Sequence, residues 1–402
     1  MTDLILTVNA GSSSIKIALF AADRNCLSPT LRGQVEGLGV GLGAPTSLKI
    51  SDGNGTALHD AALIGEAESA PTHVDAMAAI LDWLAQAEPN GRVVAVGHRI
   101  VHGGSIFSSP VIIDDRVLAD IASLEKFAPL HQPHNLAGIR AARAAFANIP
   151  HIGCFDTAYH QPQPELNKRF ALPQTLYDAG VRRYGFHGLS YESIAAQLAG
   201  TTPQSATARV VVAHLGNGAS MCAIRDGQSV ATTMSFSPLD GLPMGTRCGR
   251  LDAAVVLHLL QHHQRSADEI SQLLNRESGL LGLSGVSSDM RALQASTMPG
   301  ARMAIDYFVE HILRELAGMV AALRGIDRLV FTGGIGENDA ALRERVMIGA
   351  SWLGIRLDAD ANRAGRERIS TPDSTADVLV LRTNEESMIA RHAARALGYR
   401  FA

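Results

Sequence analysis

Near its start the chain runs LILTV, breaks into Asn9-Ala10-Gly11-Ser12-Ser13-Ser14, and resumes as IKIALF. Short apolar runs bounded by turn residues read as strands. On that pattern strands are expected at Leu4 to Val8, Ile15 to Phe20, Val93 to Val96, Ile152 to Phe155, Val210 to Ala213 and Leu329 to Thr332. Helical spacing lies between them at Asn135 to Phe146, Ser190 to Leu198 and Met303 to Leu323. Strands alternating with helices predict an α/β protein. The Gly, Ser and Thr of Gly33 to Asp60 predict irregular strands and turns at the surface. Within it, GLGVGLG (Gly37 to Gly43) reads as a loop, because no helix follows with the start that a dinucleotide fingerprint requires.

A shift of 205 residues lays TVNAGSSSIKIA over VAHLGNGASMCA, placing Gly11 on Gly216 and Ala18 on Ala223. Both segments read as strand, small polar turn, strand. The echo therefore proposes two related domains facing each other across a cleft. The length of 402 residues agrees with more than one domain, and 46% hydrophobic with 18% charged residues supplies large cores rather than a disordered chain.

A net charge of -4 with scattered Lys and Arg leaves no broad basic face, which argues against nucleic acid as a partner. Met1-Thr2-Asp3 lacks an export signal's basic and apolar regions, and no apolar run approaches the roughly 18 residues of a membrane span. The chain is expected in the cytoplasm, with no membrane partner. There the sequon Asn54-Gly55-Thr56 carries no meaning. Cys26, Cys154, Cys222 and Cys248 are far apart, which indicates reduced bystander thiols rather than a zinc site or a disulfide framework.

Three small-residue loops are the first candidates for chemistry. The hairpin Asn9 to Ser14 exposes backbone N–H groups and hydroxyls to an anion, with Lys16 either a point charge on phosphate or a snorkelling strand lysine. His214-Leu215-Gly216-Asn217-Gly218 follows another apolar strand. Gly333-Gly334-Ile335-Gly336-Glu337 follows a third, with a helix expected to begin near Asn338. Three such loops in one chain point to a polyphosphate ligand. It is not a P-loop, because no Gly-Lys-Ser/Thr occurs there.

Cationic groups flanked by glycine recur in GHRIVHGG (His98, Arg99, His102), RRYGFHGLS (His187) and GLPMGTRCGR (Arg247). Singly, each reads equally as a surface ion pair, a core histidine or a loop cation. Repeated, they suit a transferring phosphoryl group. Asp156 ends an apolar strand, and Glu385 and Glu386 read either as helix N-terminal acids or as a carboxylate for Mg²⁺.

Together VNAGSSSIK, GHRIVHGG, APLHQPHN, CFDTAYH, RRYGFHGLS, HLGNGAS, FSPLDGLPMGTR, GLLGLSGVSSDMR, FTGGIGEN and TNEES resemble the acetokinase family, within the actin/hexokinase-like kinase superfamily. The resemblance runs nearly end to end. It implies two duplicated actin/ribonuclease H-like α/β domains, residues 1–156 with a returning helix at 388–402, and residues 157–387, with an active-site cleft between them that closes on binding. It also implies a homodimer. The implied reaction is reversible in-line transfer from ATP to acetate, giving acetyl phosphate and ADP, with Mg²⁺ or alternatively Mn²⁺.

Carried over onto this sequence, Asn9 and Glu385 match the magnesium positions. Lys16 and Ser12 match phosphate contacts, and His214 to Gly218, Asp289-Met290-Arg291 and Gly333 to Glu337 match nucleotide-binding stretches. Arg99 matches the carboxylate-binding arginine, Arg247 and His187 match stabilisers of the phosphoryl group, and Val101, Leu130, Phe186 and Pro238 match the acyl pocket. Those four also read as ordinary core packing. Asp156 matches a residue usually called a proton donor or acceptor. Acetate, with a pKa near that of a Glu side chain at about 4.3, is already ionised at neutral pH, so Asp156 is expected to organise Mg²⁺ or Arg99 instead.

The chain departs from the family pattern at Arg382, at Cys248-Gly249-Arg250, at Leu189 and Tyr191, and at Gln132. Arg250 is expected to add charge near Arg247. Two rivals accompany this reading: a propionate or other short-chain fatty acid kinase, and a non-catalytic actin-like ATP switch that would tolerate loss of Arg99, His187 and Arg247.

Overall fold

In the computed structural model, residues 2–11, 14–23, 27–38, 46–63, 71–87, 91–200 and 207–399 are described. The chain forms two compact units, residues 1–159 with 384–402, and residues 160–383. Ser12, Cys26 and part of GLGVGLG lie outside the described residues.

The first unit is built on β1 (Asp3–Ala10), β2 (Ser14–Ala22), β3 (Leu27–Glu36), β4 (Ser47–Asp52), β5 (Ala57–Ala62), β6 (Arg92–Ile100), β7 (Val111–Ile112) and β8 (His151–Phe155), in the spatial order β5-β4-β3-β2-β1-β6-β8-β7. β1 runs antiparallel to β2 and parallel to β6. Because side chains alternate across a strand, Leu4, Leu6, Val8 and Ala10 face one layer, where they join Met77, Ile80 and Leu84 of helix His73–Ala87 and Ala142 of helix Gln132–Ala145. The opposite face meets helix Glu385–Ala396. A Cβ on Gly97 would lie 2.5 Å from Ile389, so only glycine lets β6 approach that helix. Two covered faces explain why β1 reads as an almost unbroken apolar run.

Where it is described, the segment expected to hold irregular strands and turns forms regular strands. β3, β4 and β5 continue the sheet as an antiparallel meander, with Leu31, Val35, Leu48 and Ile50 buried in the core. Their apolar side chains alternate with Ser, Lys, Arg and Gln, and this period of two belongs to a sheet with one wet face. Turn-forming composition hid it.

The second unit carries β9 (Val210–Leu215), β10 (Ala219–Arg225), β11 (Gln228–Thr232), β12 (Arg328–Thr332) and β13 (Asp377–Val380), in the order β11-β10-β9-β12-β13. β10 is antiparallel to β9 and β11, whereas β9, β12 and β13 are mutually parallel. The core of the first sheet, β3-β2-β1-β6-β8, has the same order and the same strand directions. The repeat proposed from sequence is thus a repeat of topology, and the fold is a duplicated α/β sheet. Its two hairpins differ by one residue: Ala10 pairs with Ile15, but Leu215 pairs with Ala219.

Helix Pro299–Leu323 packs on β9, β10 and β11, beginning four residues earlier than the apolar spacing predicts, with Pro at its first position. Among the described residues no helix is long and apolar enough to cross a membrane, and Cys154, Cys222 and Cys248 are free thiols.

Candidate active site

In both sheets the candidate residues gather at the carboxyl ends of the parallel strands, where open α/β sheets carry their ligands. In the first unit, β1 and β6 deliver Asn9 and Arg99 to the face covered by helix Glu385–Ala396, and Asp156 follows β8 directly. Arg99 donates from Nε and Nη2 to the two Asp156 oxygens at 3.0 and 2.6 Å, a bidentate fork. Its Nη1 donates to Asn9 Oδ1 at 3.1 Å, and Glu385 Oε2 lies 3.6 Å from Nε. Asp156 is fully buried, and the Arg99 and Glu385 side chains are 17% and 15% exposed. Burial opposes the guanidinium charge, but Asp156, Glu385 and Glu386 outweigh it and raise its pKa further.

Lys16 is exposed and stands opposite Asn9 in the β1–β2 ladder, on the same face of the sheet. Val101 is buried and Leu130 half-buried in this unit. His98 and His102 are each held by a partner in the fold. His98 Nε2 bonds His151 Nδ1 at 2.9 Å, and burial with His151 beside it pushes its pKa down to about 3. His102 Nδ1 accepts the Gly104 N–H at 2.9 Å.

In the second unit, His187 caps helix Gly188–Ala199 in the left-handed region, with φ 58°. Its Nδ1 lies 2.9 Å from Ser220 Oγ, and its ring stacks on His214 at 4.4 Å. A Cβ on Gly218 would lie 3.3 Å from His187 Nε2 and 3.8 Å from Arg247 Nη2. The glycine loop, the imidazole and the guanidinium therefore share one place, and the missing side chain leaves room for a ligand between them. Arg247 is aimed by its Nη1 bond to the Pro238 carbonyl at 2.9 Å. Phe186, fully buried, and Pro238, half-buried, belong to this unit too.

Arg250 has a carboxylate partner of its own. It pairs with the buried Glu315 at 3.0 Å, whose pKa burial raises. Tyr191 and Leu189 are buried, and the Tyr191 hydroxyl bonds Ser220 Oγ, backing the oxygen that holds His187.

The glycines after β12 are themselves helical, Gly333–Asn338, so the helix begins five residues before the expected start and a second one, Ala340–Gly349, follows. Gly333 has φ 78°, and a Cβ there would meet the Leu215 carbonyl at 2.7 Å, which ties the ends of β9 and β12 together. Glu337 Oε1 accepts from Gly333 N–H at 2.9 Å and from Thr332 Oγ1 at 3.2 Å, stapling its own loop.

Beside these loops lies a cavity of about 610 Å³ lined by Gly216, Asn217, Asp289 to Arg291, Gly334 and Ile335, joined by Ser288, Gln294, Asn338 and Asp339. The size suits a nucleotide. Arg291 pairs with Asp289 at 2.6 Å, and Gln294 donates to Asp339 at 2.6 Å. Ser288 and Asn338 fall in quoted motifs without an assigned role, whereas Gln294, Asp339 and the buried Arg343, which donates to the carbonyls of Gly336 and Glu337 at 2.9 Å, escaped the sequence reading. Only the proximity of Asp339 to the glycines hinted at them.

A duplicated sheet carrying an arginine–carboxylate cluster on one copy and a glycine-lined cavity on the other has the form of an actin-like kinase. More narrowly, the chain belongs to the Acetokinase family, whose sequence profile matches residues 4–391. It is 52% identical over 394 residues to an acetate kinase of Methylocella silvestris, covering 98% of this chain and 97% of that one. An acetate kinase of Rhodopseudomonas palustris is 49% identical over 399 residues, covering 98% of each. Among solved structures, a propionate kinase from Francisella tularensis superposes with a TM-score of 0.88 at 34% identity, covering 98% of this chain and 99% of that one. An acetate kinase from Porphyromonas gingivalis does so with 0.84 at 36%, covering 98% and 100%.

Proposed function

We infer that this protein transfers the γ-phosphoryl group of ATP reversibly to acetate, giving acetyl phosphate and ADP. The end-to-end match to the Acetokinase family carries the reading, and the unit geometries supply its chemistry.

The nucleophile is a carboxylate that is already ionised, so the barrier is the approach of an anion to a polyanion. Arg99 meets the first need. Of its five N–H donors, Asp156 takes two and Asn9 one. One hydrogen remains on each of Nη1 and Nη2, donors available to a second carboxylate. Asp156 then orients Arg99 rather than removing a proton. Arg247 and His187, facing the open place at Gly218, suit the equatorial oxygens of the moving phosphoryl group. The nucleotide occupies the cavity beside Gly216 and Gly334, with Met290 and Ile335 supplying apolar contact. Val101, Leu130, Phe186 and Pro238 take the methyl group.

An amide oxygen from Asn9 and a carboxylate from Glu385 are hard donors that fit Mg²⁺, or Mn²⁺ in its place. Mg²⁺ takes its remaining ligands from phosphate and water. When bound, the ion offsets charge on the phosphate oxygens.

The family also suggests a homodimer. Helix Ala253–Gln261 reads AAVVLHLLQ, and none of its residues is buried, with Leu257 53% exposed. A second copy is proposed to cover it. A Leu257→Glu variant at half the wild-type mass by light scattering is the expected result. ATP as co-substrate and the free thiols suit a cytoplasmic setting.

A direct test runs the reaction backwards: purified protein, acetyl phosphate and ADP should yield ATP by a luciferase readout, and a chelator should abolish it. Absence of ATP with the divalent ion supplied would contradict the assignment.

A further inference from the structure

The ladder between β1 and β6 ends at Val8 opposite His98, one residue short of Asn9 and Arg99. Among the described residues the register between the two strands ends there. A side chain continues the connection instead. Asn135, 2% exposed on helix Gln132–Ala145, donates from Nδ2 to the Ala10 carbonyl at 2.7 Å and accepts the Val101 N–H on Oδ1 at 2.9 Å. One buried amide thus ties the start of the phosphate hairpin to the chain two residues past Arg99.

The next hairpin carbonyl is held as well. His73, at the start of helix His73–Ala87, places Nε2 2.6 Å from the Gly11 oxygen. A carbonyl only accepts, so Nε2 carries the proton. The His73 ring stacks on His134 at 4.0 Å with planes 20° apart, and His134 immediately precedes Asn135.

We propose that Asn135 and His73 are positioning residues that clamp two consecutive carbonyls of the hairpin, Ala10 and Gly11, and so fix Asn9 and Lys16 in register with Arg99 for phosphoryl transfer. The clamp's catalytic part rests on the reading of this hairpin as the phosphate loop; its structural part does not. Neither residue touches the reacting atoms. Their effect is on alignment, where a displacement of about 1 Å is enough to cost about 100-fold in rate.

The test compares wild type with Asn135→Asp, His73→Leu and His73→Gln. Asp keeps the acceptor for Val101 and loses the donor to Ala10; Gln keeps a donor within reach of Gly11, and Leu does not. Amide hydrogen exchange over residues 9–16, kcat, and the KM for acetate are measured on each. Faster hairpin exchange and a kcat lowered about tenfold or more in Asn135→Asp and His73→Leu, with recovery in His73→Gln and acetate KM within about twofold, is expected. Unchanged exchange in both loss variants overturns the clamp, and faster exchange at wild-type kcat overturns its positioning role. Should Asn135→Asp unfold, the half-exposed His73 pair decides alone. A wild type without activity would count against the kinase reading, while exchange would still decide the clamp.

Discussion

Replacing Asp156 by Asn distinguishes an orienting carboxylate from a general base. Wild-type Arg99 makes bonds of 3.0 and 2.6 Å to the two Asp156 oxygens. Asparagine keeps one acceptor but turns an NH₂ group toward a guanidinium N–H, so one charge-assisted bond is lost and a donor meets a donor. Such a bond contributes about 1.5–3 kcal/mol. At 1.36 kcal/mol per decade, kcat/KM for acetate should fall about 13- to 160-fold. The assay is acetyl phosphate formation at saturating Mg-ATP between pH 6 and 9, after circular dichroism has shown the variant folded. Because acetate is ionised throughout, the variant's profile should keep the wild-type shape at a lower level. A variant rate that climbs about tenfold per pH unit, as hydroxide replaces a lost base, would refute the orienting role.

Three further outcomes follow from the same geometry. Arg247→Lys loses the planar fork whose Nη1 is fixed by Pro238, and kcat should drop about 100-fold with ATP affinity by calorimetry nearly unchanged; wild-type turnover would remove Arg247 from the phosphoryl site. Val101→Ala shortens a buried side chain two residues along the chain from Arg99, and the propionate-to-acetate ratio of kcat/KM should rise about fivefold or more, since one methylene is worth about 1–3 kcal/mol; an unchanged ratio would place the acyl pocket elsewhere. Burial lowers the imidazole pKa of His98 to about 3 and of His102 and His160 to about 4. An unfolded imidazole titrates near 6.5, so below about pH 6.5 the unfolded chain binds more protons and stability falls with pH until the folded values are reached. Urea midpoints should therefore decrease from pH 7 to pH 5, with a shallower slope in His160→Gln, and a flat dependence would contradict neutral burial.

The parts of the fold legible in the sequence were those that bury both faces. β1, β2 and β9 read as apolar runs, and the hairpin echo pointed to a duplication because both hairpins precede the same parallel crossing. What stayed hidden had conflicting local signals. The meander β3 to β5 has a wet face and turn-rich composition, and the glycines Gly333 to Gly336 form a helix despite their low propensity because β9, the Glu337 carboxylate and Arg343 hold them there. At the site, the residue types were legible, but partnerships were not. Nothing in the spacing of Arg250 and Glu315, Asn135 and Ala10, or Tyr191 and Ser220 announces contacts that only the folded chain creates.

On this reading a carboxylate is phosphorylated directly by ATP on this protein. Hydroxylamine trapping of the acyl phosphate, with Mg-ATP and acetate, propionate or butyrate in separate reactions, tests it most directly. Hydroxamate formed fastest with acetate, and lost in Arg99→Lys, is the predicted result. No hydroxamate from any acid, while the protein still binds ATP, would contradict it and leave a nucleotide switch as the better description.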